Sequence, residues 1–127
     1  MLNPAMKDFK PDFSLHRSYR VRRSKEFRRI YSRGRRFSNR SALMYVFNVR
    51  RSGVRVGFVA TKKIGTAVMR NRAKRLMKEV YRLHRHELKS GHDAIMLANA
   101  FLTRATYEEA EEAILSLWHK AGLLEQV

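Results

Sequence analysis

The stretch Lys62-Lys63-Ile64-Gly65-Thr66-Ala67-Val68-Met69-Arg70-Asn71-Arg72-Ala73-Lys74-Arg75 carries a strand end, a turn and a helix start within fourteen residues, six of them basic. Immediately before it, Val54 to Thr61 alternates, with Val54, Val56, Phe58 and Ala60 on one face and Arg55, Gly57, Val59 and Thr61 on the other. Gly65 permits a close turn or a positive φ, and Thr66 can cap a helix beginning just after it. From there to about Lys89 the pattern is helical. At about 100° per residue, Ala73, Leu76, Met77, Val80 and His84 gather on one side. Asn71, Lys74, Arg75, Lys78, Arg82, Arg85 and Lys89 gather opposite. One face is core and the other is a basic stripe.

Working outward, Ser24 to about Arg33 reads as a short helix, with Ser24 as cap, Phe27, Ile30 and Tyr31 on one stripe, and Gly34 as terminator. Arg28, Arg29 and Arg33 lie off that stripe. Ala42 to Val49 is strand-like, and Arg51-Ser52-Gly53 has turn chemistry before the next strand. After Gly91, Ala94 to Ala98 reads as a short buried strand. The last helix opens with the capping-box pair Thr106 and Glu109, and Lys120 with Gly122 marks its end. Tyr107, Ala110, Ile114, Leu117 and Trp118 form its buried stripe. The order helix, strand, strand, helix, strand, helix predicts an α+β fold, an α/β two-layer sandwich of helices on a small sheet. Residues 1–14, with both prolines (Pro4 and Pro11), read as an N-terminal arm, 15–122 as one domain and 123–127 as a C-terminal tail.

Twenty-eight Lys and Arg against 11 Asp and Glu give a formal charge of +17 on 127 residues. Such a chain repels itself, and a polyanion relieves it. No run of roughly 18 apolar residues exists to span a bilayer, and the first eleven residues lack the apolar centre of a signal peptide. With no cysteine there is neither a disulfide framework nor a thiolate zinc site, which suits a cytoplasmic setting. Nucleic acid is the favoured partner.

At the helix start after Gly65, free backbone N–H groups favour phosphate, and Lys62, Lys63, Arg70 and Arg72 surround it with cations. Asn71 adds an amide that both donates and accepts. The competing reading is a solvated basic helix face. Only Glu79 and Glu87 offset the charge along this helix, so repulsion stays unrelieved without a partner, and phosphate binding is preferred. The glycine pattern of a Walker loop is missing.

The pattern Lys-Lys-x-Gly-x-Ala-Val-x-Arg-Asn-Arg-x-Lys-Arg resembles the signature of the bacterial ribonuclease P protein component family. Phe27 and Tyr31 after Ser24, then Gly34, Tyr45, Arg55-Val56-Gly57 and Thr106-Tyr107-Glu108-Glu109 fall in the family's order, over roughly residues 15 to 120. Asn99 departs from it, standing where an arginine is expected. The resemblance implies a ribosomal protein S5 domain 2-like fold with a left-handed βαβ crossover, against the general chirality rule. It implies that Lys62, Lys63, Arg70, Asn71, Arg72, Lys74, Arg75 and Lys78 face a catalytic RNA subunit. It implies that Phe27, Tyr31 and Tyr45 line a cleft for the single-stranded 5′ leader of precursor tRNA. Stacking on such rings is sequence-tolerant and contributes roughly 1–3 kcal/mol per base. Phe27, on the apolar stripe beside Ile30, fits a core position equally well.

No protein active site is legible. The five histidines are scattered, His84 and His86 do not share a helix face, and His84 lies on the apolar side as a packed side chain. The acids concentrate in the last helix, where they suit its dipole. By the resemblance the protein is a component of an endoribonuclease with no catalytic residues of its own. The Mg²⁺ for leader removal is then held mainly by the RNA, and the protein holds no metal. The alternative is a ribosomal protein or general RNA chaperone. A DNA-binding protein ranks lower, because no helix-turn-helix spacing is present, and a free-standing nuclease lower still.

Overall fold

The structure, a computed structural model, describes Arg20, Val21 and residues 23–125; the arm expected over 1–14 lies outside the described residues. Helix α1 spans Ser24–Arg33, followed by β1 (Arg35–Ser38), β2 (Ala42–Asn48) and β3 (Val54–Val59). Next come a 3₁₀ turn (Lys62–Ile64), α2 (Ala67–His84), β4 (His92–Ala98) and α3 (Tyr107–Lys120). The four strands form one sheet in the order β1-β2-β4-β3. The pairs β1–β2 and β2–β4 are antiparallel, while β3 and β4 are parallel. Parallel neighbours need a crossover, and α2 supplies it.

The α+β class stands as expected, with one strand added. β1 was not expected, because Arg35-Arg36-Phe37-Ser38 offers a single apolar side chain and no strand pattern. It forms by pairing Phe37 opposite Met44, with Phe37 packed against the main core.

That core lies between one sheet face and the pair α2 and α3. Met44, Val46, Val56, Ala94 and Met96 meet Met77, Val80 and Tyr81 from α2 and Ile114, Leu117 and Trp118 from α3. Fully burying a side chain such as Met77 or Leu117 contributes about 1.5–3 kcal/mol relative to exposure. The opposite face is covered by α1, where Ile30 packs with Val21 and Ile95. Phe27, Tyr45, Phe47, Val59 and Leu97 surround that smaller cluster.

Several boundaries move for physical reasons. Ser24 is the first residue of α1 rather than its cap; Arg23 occupies the cap position, and its N–H donates to Glu26 Oε1 at 3.4 Å. α2 stops at His84, short of Lys89, because residues 85–87 tighten into a 3₁₀ turn. Lys89 then donates its N–H to the Leu123 carbonyl (2.7 Å). Residues 123–125, expected to be part of a tail, are held there: Leu123 is buried, and Glu125 N–H bonds to the Glu87 carbonyl. Tyr81, left out of the expected stripe, is fully buried, since its hydroxyl finds the Val54 carbonyl at 2.7 Å.

His84 is not the apolar packed side chain expected. Its ring nitrogens face Glu87 (2.5 Å) and Glu111 (2.8 Å), clasping α2 to α3. Burial disfavours the charged ring, but the hydrogen bonds to Glu111 and Glu87 outweigh it, so the imidazole titrates above its ordinary value.

Candidate nucleic-acid interface

Where α1 meets the sheet, a row of aromatic rings is half-buried, with Tyr31 the most exposed of them. Phe27 and Tyr31 are four residues apart on α1 and therefore neighbours, with ring centroids 6.3 Å apart. Tyr31 meets Tyr45 of β2 edge-on at 5.0 Å. Strand register explains the alignment. Arg36, Tyr45, Ile95 and Gly57 lie opposite one another across β1, β2, β4 and β3, a rank about 14 Å wide at strand spacing. Phe27 sits over the Gly57 end, where a Cβ would stand 2.6 Å from its ring. Glycine is required at 57 because the ring occupies that space. At the other end the Arg36 guanidinium lies 5.8 Å from the Tyr45 centroid. Tyr31 remains 37% exposed, while burial and the neighbouring Tyr45 push its hydroxyl pKa up, keeping it a neutral donor.

An ion network fixes α1 over this face. Arg55 donates from Nε and Nη2 to the two oxygens of Asp93 (3.2 and 3.0 Å) and also reaches Glu26 of α1. Arg51 pairs with Asp93 as well. Burial pushes the Glu26 carboxyl up, but the hydrogen bond and charge of Arg55 together hold it below its ordinary value. Asp93 is buried, and a buried carboxylate needs such partners.

The basic positions do not share one face. Lys62 and Lys63 are exposed in the turn after β3. There Gly65 takes φ +148 and Thr66 caps α2 through Oγ1, accepting from Met69 N–H at 3.3 Å. Asn71 and Arg75 point to solvent. Arg72 donates to the Leu102 carbonyl at 3.3 Å and, with Arg75, Glu79 and Tyr107, lines a hollow between α2 and α3. Lys74 and Lys78 turn the other way, into a hollow shared with Arg20, Phe27 and Phe58. The basic helix and the aromatic row therefore meet at Phe27. Asn99 faces inward instead, its Nδ2 donating to the Asn39 carbonyl at 2.9 Å.

A family model described as Ribonuclease P matches residues 15–122. The chain belongs to the ribonuclease P protein family. It is 40% identical over 107 residues to the ribonuclease P protein component of Clostridium acetobutylicum, covering 83% of this chain and 90% of that one. It is 37% identical over 105 residues to its counterpart from Alkaliphilus metalliredigens, covering 83% and 95%. The RNase P protein of Staphylococcus aureus superposes with a TM-score of 0.77 at 27% identity, over 84% of this chain and 98% of that one. The fold is also that of the RNase P protein from Thermotoga maritima (TM-score 0.72, 24% identity, 80% and 96% covered).

Two cations beside the row and the hollow, Arg36 and Arg20, are not among the residues the sequence singles out. Arg36 became visible only with β1. Arg20 is placed by Val21, whose N–H bonds to the Val56 carbonyl at 3.2 Å. No helix among the described residues is long and apolar enough to cross a membrane.

Proposed function

We propose that this ribonuclease P protein binds the catalytic RNA through the exposed basic side of α2 and the 5′ leader of precursor tRNA along Phe27, Tyr31 and Tyr45. The observation that carries the reading is the meeting, at Phe27, of a basic helix and a half-exposed aromatic row. Rings in series suit unpaired bases of any sequence. Flanking cations neutralise phosphates and release their counterions.

The reaction in this reading is Mg²⁺-dependent endonucleolytic removal of the leader, giving the mature tRNA 5′ end. The acids nearest the row, Glu26 and Asp93, are committed to Arg51 and Arg55, so we assign the Mg²⁺ to the RNA. The protein's part is to screen two polyanions from one another and hold the leader. That help is greatest at low Mg²⁺, where repulsion between the RNAs is least screened.

The test is cleavage of a 5′-labelled precursor tRNA by a bacterial ribonuclease P RNA, with and without this protein, at low Mg²⁺. Cleavage at the mature 5′ end only with both present is the expected result. Tight RNA binding without stimulation would point to a ribosomal or chaperone role. Cutting by the protein alone would overturn the assignment of catalysis to the RNA.

A further inference from the structure

α1 has two flanks above the sheet, and the aromatic row occupies only one of them. At about 100° per residue, Ile30 faces the sheet, Phe27 and Tyr31 fall to one side, and Lys25, Arg29 and Arg33 fall to the other. These three cations stand at i, i+4 and i+8, where each like-charged step destabilises the helix. With Arg28, Ser32 and Phe47 they line a hollow of about 450 Å³, and no carboxylate borders it. Arg33 also borders an adjoining hollow with Arg35, so the basic surface continues to the start of β1. The one acid of α1, Glu26, is engaged by Arg55. Lys25, Arg28, Arg29 and Arg33 are all exposed, and among the described residues none of them belongs to an ion pair. Packing of α1 needs none of this charge, since Ile30 is the residue it buries.

We infer that this outer flank of α1 binds the phosphate backbone of a base-paired RNA stem, and that the stem lies in the precursor's leader, upstream of the segment on the aromatic row. Chemistry selects a duplex over a single strand. Unpaired bases need rings to stack on, and the outer flank offers only Phe47, which is half-buried. Paired RNA encloses its bases and is recognised through phosphates and 2′-hydroxyls. It also releases more counterions per phosphate contact than a single strand does, which suits clustered cations without rings. Position selects the source. A helix with its side chains is about 10–12 Å across, so a strand leaving the row reaches the outer flank after crossing one helix. Both segments then belong to one RNA, and the second contact forms at the effective concentration of an intramolecular step. The protein therefore favours precursors whose leaders are paired upstream. Naming the leader rests on the function proposed above; the duplex chemistry of the flank does not.

The test measures binding of three RNAs to the reconstituted holoenzyme: mature tRNA, a precursor with an unpaired leader, and one whose leader of equal length forms a stem upstream of several unpaired nucleotides. The parent should bind the stem-bearing precursor most tightly. Arg29→Gln/Arg33→Gln should erase that preference and lose about 1.8 from the log–log salt slope for this precursor, 0.9 for each of two phosphate contacts. Glutamine sustains a helix about as well as arginine, and the change removes a like-charged step, so the variant should melt no lower than the parent. Arg104→Gln/Lys120→Gln, which removes the same charge from exposed positions elsewhere, should keep the preference. No preference in the parent, one that survives Arg29→Gln/Arg33→Gln, or one lost equally in the charge-matched control would overturn the inference. If Arg29→Gln/Arg33→Gln instead lowers the salt slope of RNA-subunit binding, the flank serves that RNA and the assignment to the leader falls. Failure of the leader reading is distinct: there the unpaired-leader precursor and mature tRNA bind alike, whereas here the leader raises affinity and the stem adds nothing.

Discussion

Gly57→Ala is the substitution that separates Phe27 as a stacking platform from Phe27 as core. The new methyl would stand 2.6 Å from Phe27 Cζ and 2.9 Å from Cε1, with Val21 Cβ at 3.4 Å. Carbon atoms rest at about 3.5–4.0 Å, so the ring must retreat by about 1 Å. β3 itself cannot yield, because it is paired along its length to β4. Overpacking of this kind costs about 1–3 kcal/mol, and the lower end applies because the obstructing atoms are the tip of a ring that can swing. The displaced ring no longer aligns with Tyr31 and Tyr45. Losing one stacked base, at roughly 1–3 kcal/mol, corresponds to about a 5- to 140-fold loss of affinity at 1.4 kcal/mol per tenfold. The assay is the dissociation constant of the reconstituted holoenzyme for precursor tRNA with its leader and for mature tRNA. Only the first should weaken. Gly57→Ala/Phe27→Leu makes room for the methyl and should restore the urea midpoint without restoring leader affinity. A lowered midpoint with leader affinity unchanged would refute the reasoning and leave Phe27 a core residue.

Arg75→Ala removes an exposed α2 cation and should lower the salt slope of RNA-subunit binding by about 0.7–0.9, leaving the urea midpoint unmoved; an unchanged slope removes Arg75 from the phosphate contacts. Tyr81→Phe deletes the buried hydrogen bond to the Val54 carbonyl and should cost about 0.5–1.5 kcal/mol in chemical denaturation, more if that carbonyl stays unpaired. The His84 clasp is pH-dependent, because its folded pKa is raised. Its stabilisation is fully present below the ordinary value of 6.5 and is lost as pH rises through the folded value. His84→Gln should therefore be less stable than the parent at roughly pH 6 and nearly equal to it at roughly pH 9; a gap independent of pH would exclude the ionised clasp.

The sequence displayed those elements whose side chains repeat. The capping box at Thr106 and Glu109 appears as read, with hydrogen bonds of 2.9 and 3.2 Å. The glycine turn and capped helix around Gly65 also stand where the residues placed them, while the strand before them ends at Val59, two residues short of the expected Thr61. β1 was hidden because it exists through its partner and not through its own four residues. The alignment of Arg36, Tyr45 and Gly57 was equally hidden, since register belongs to the pairing of strands distant in sequence. His84 was misjudged because position on a helix face says nothing of a carboxylate arriving from another helix, here Glu111. The division of the basic stripe between two hollows depended on where α1 and α3 pack, information that helical periodicity does not contain.

The margins of the sheet bear on how this molecule behaves alone. An open strand edge is a template for a second copy, and proteins blunt such edges with shortness and charge. β1 is four residues long and begins with two exposed arginines. On the opposite margin, the backbone at Arg20 and Val21 bridges to Val56 of β3. Growth of the sheet by addition of another chain is opposed at both sides, at one by like charge and at the other by an occupied hydrogen-bonding position. With +17 spread over 127 residues, two copies of this protein repel one another, whereas one copy and a nucleic acid attract. The arginines of β1 thus make its open edge a poor template for a second copy of the same charge.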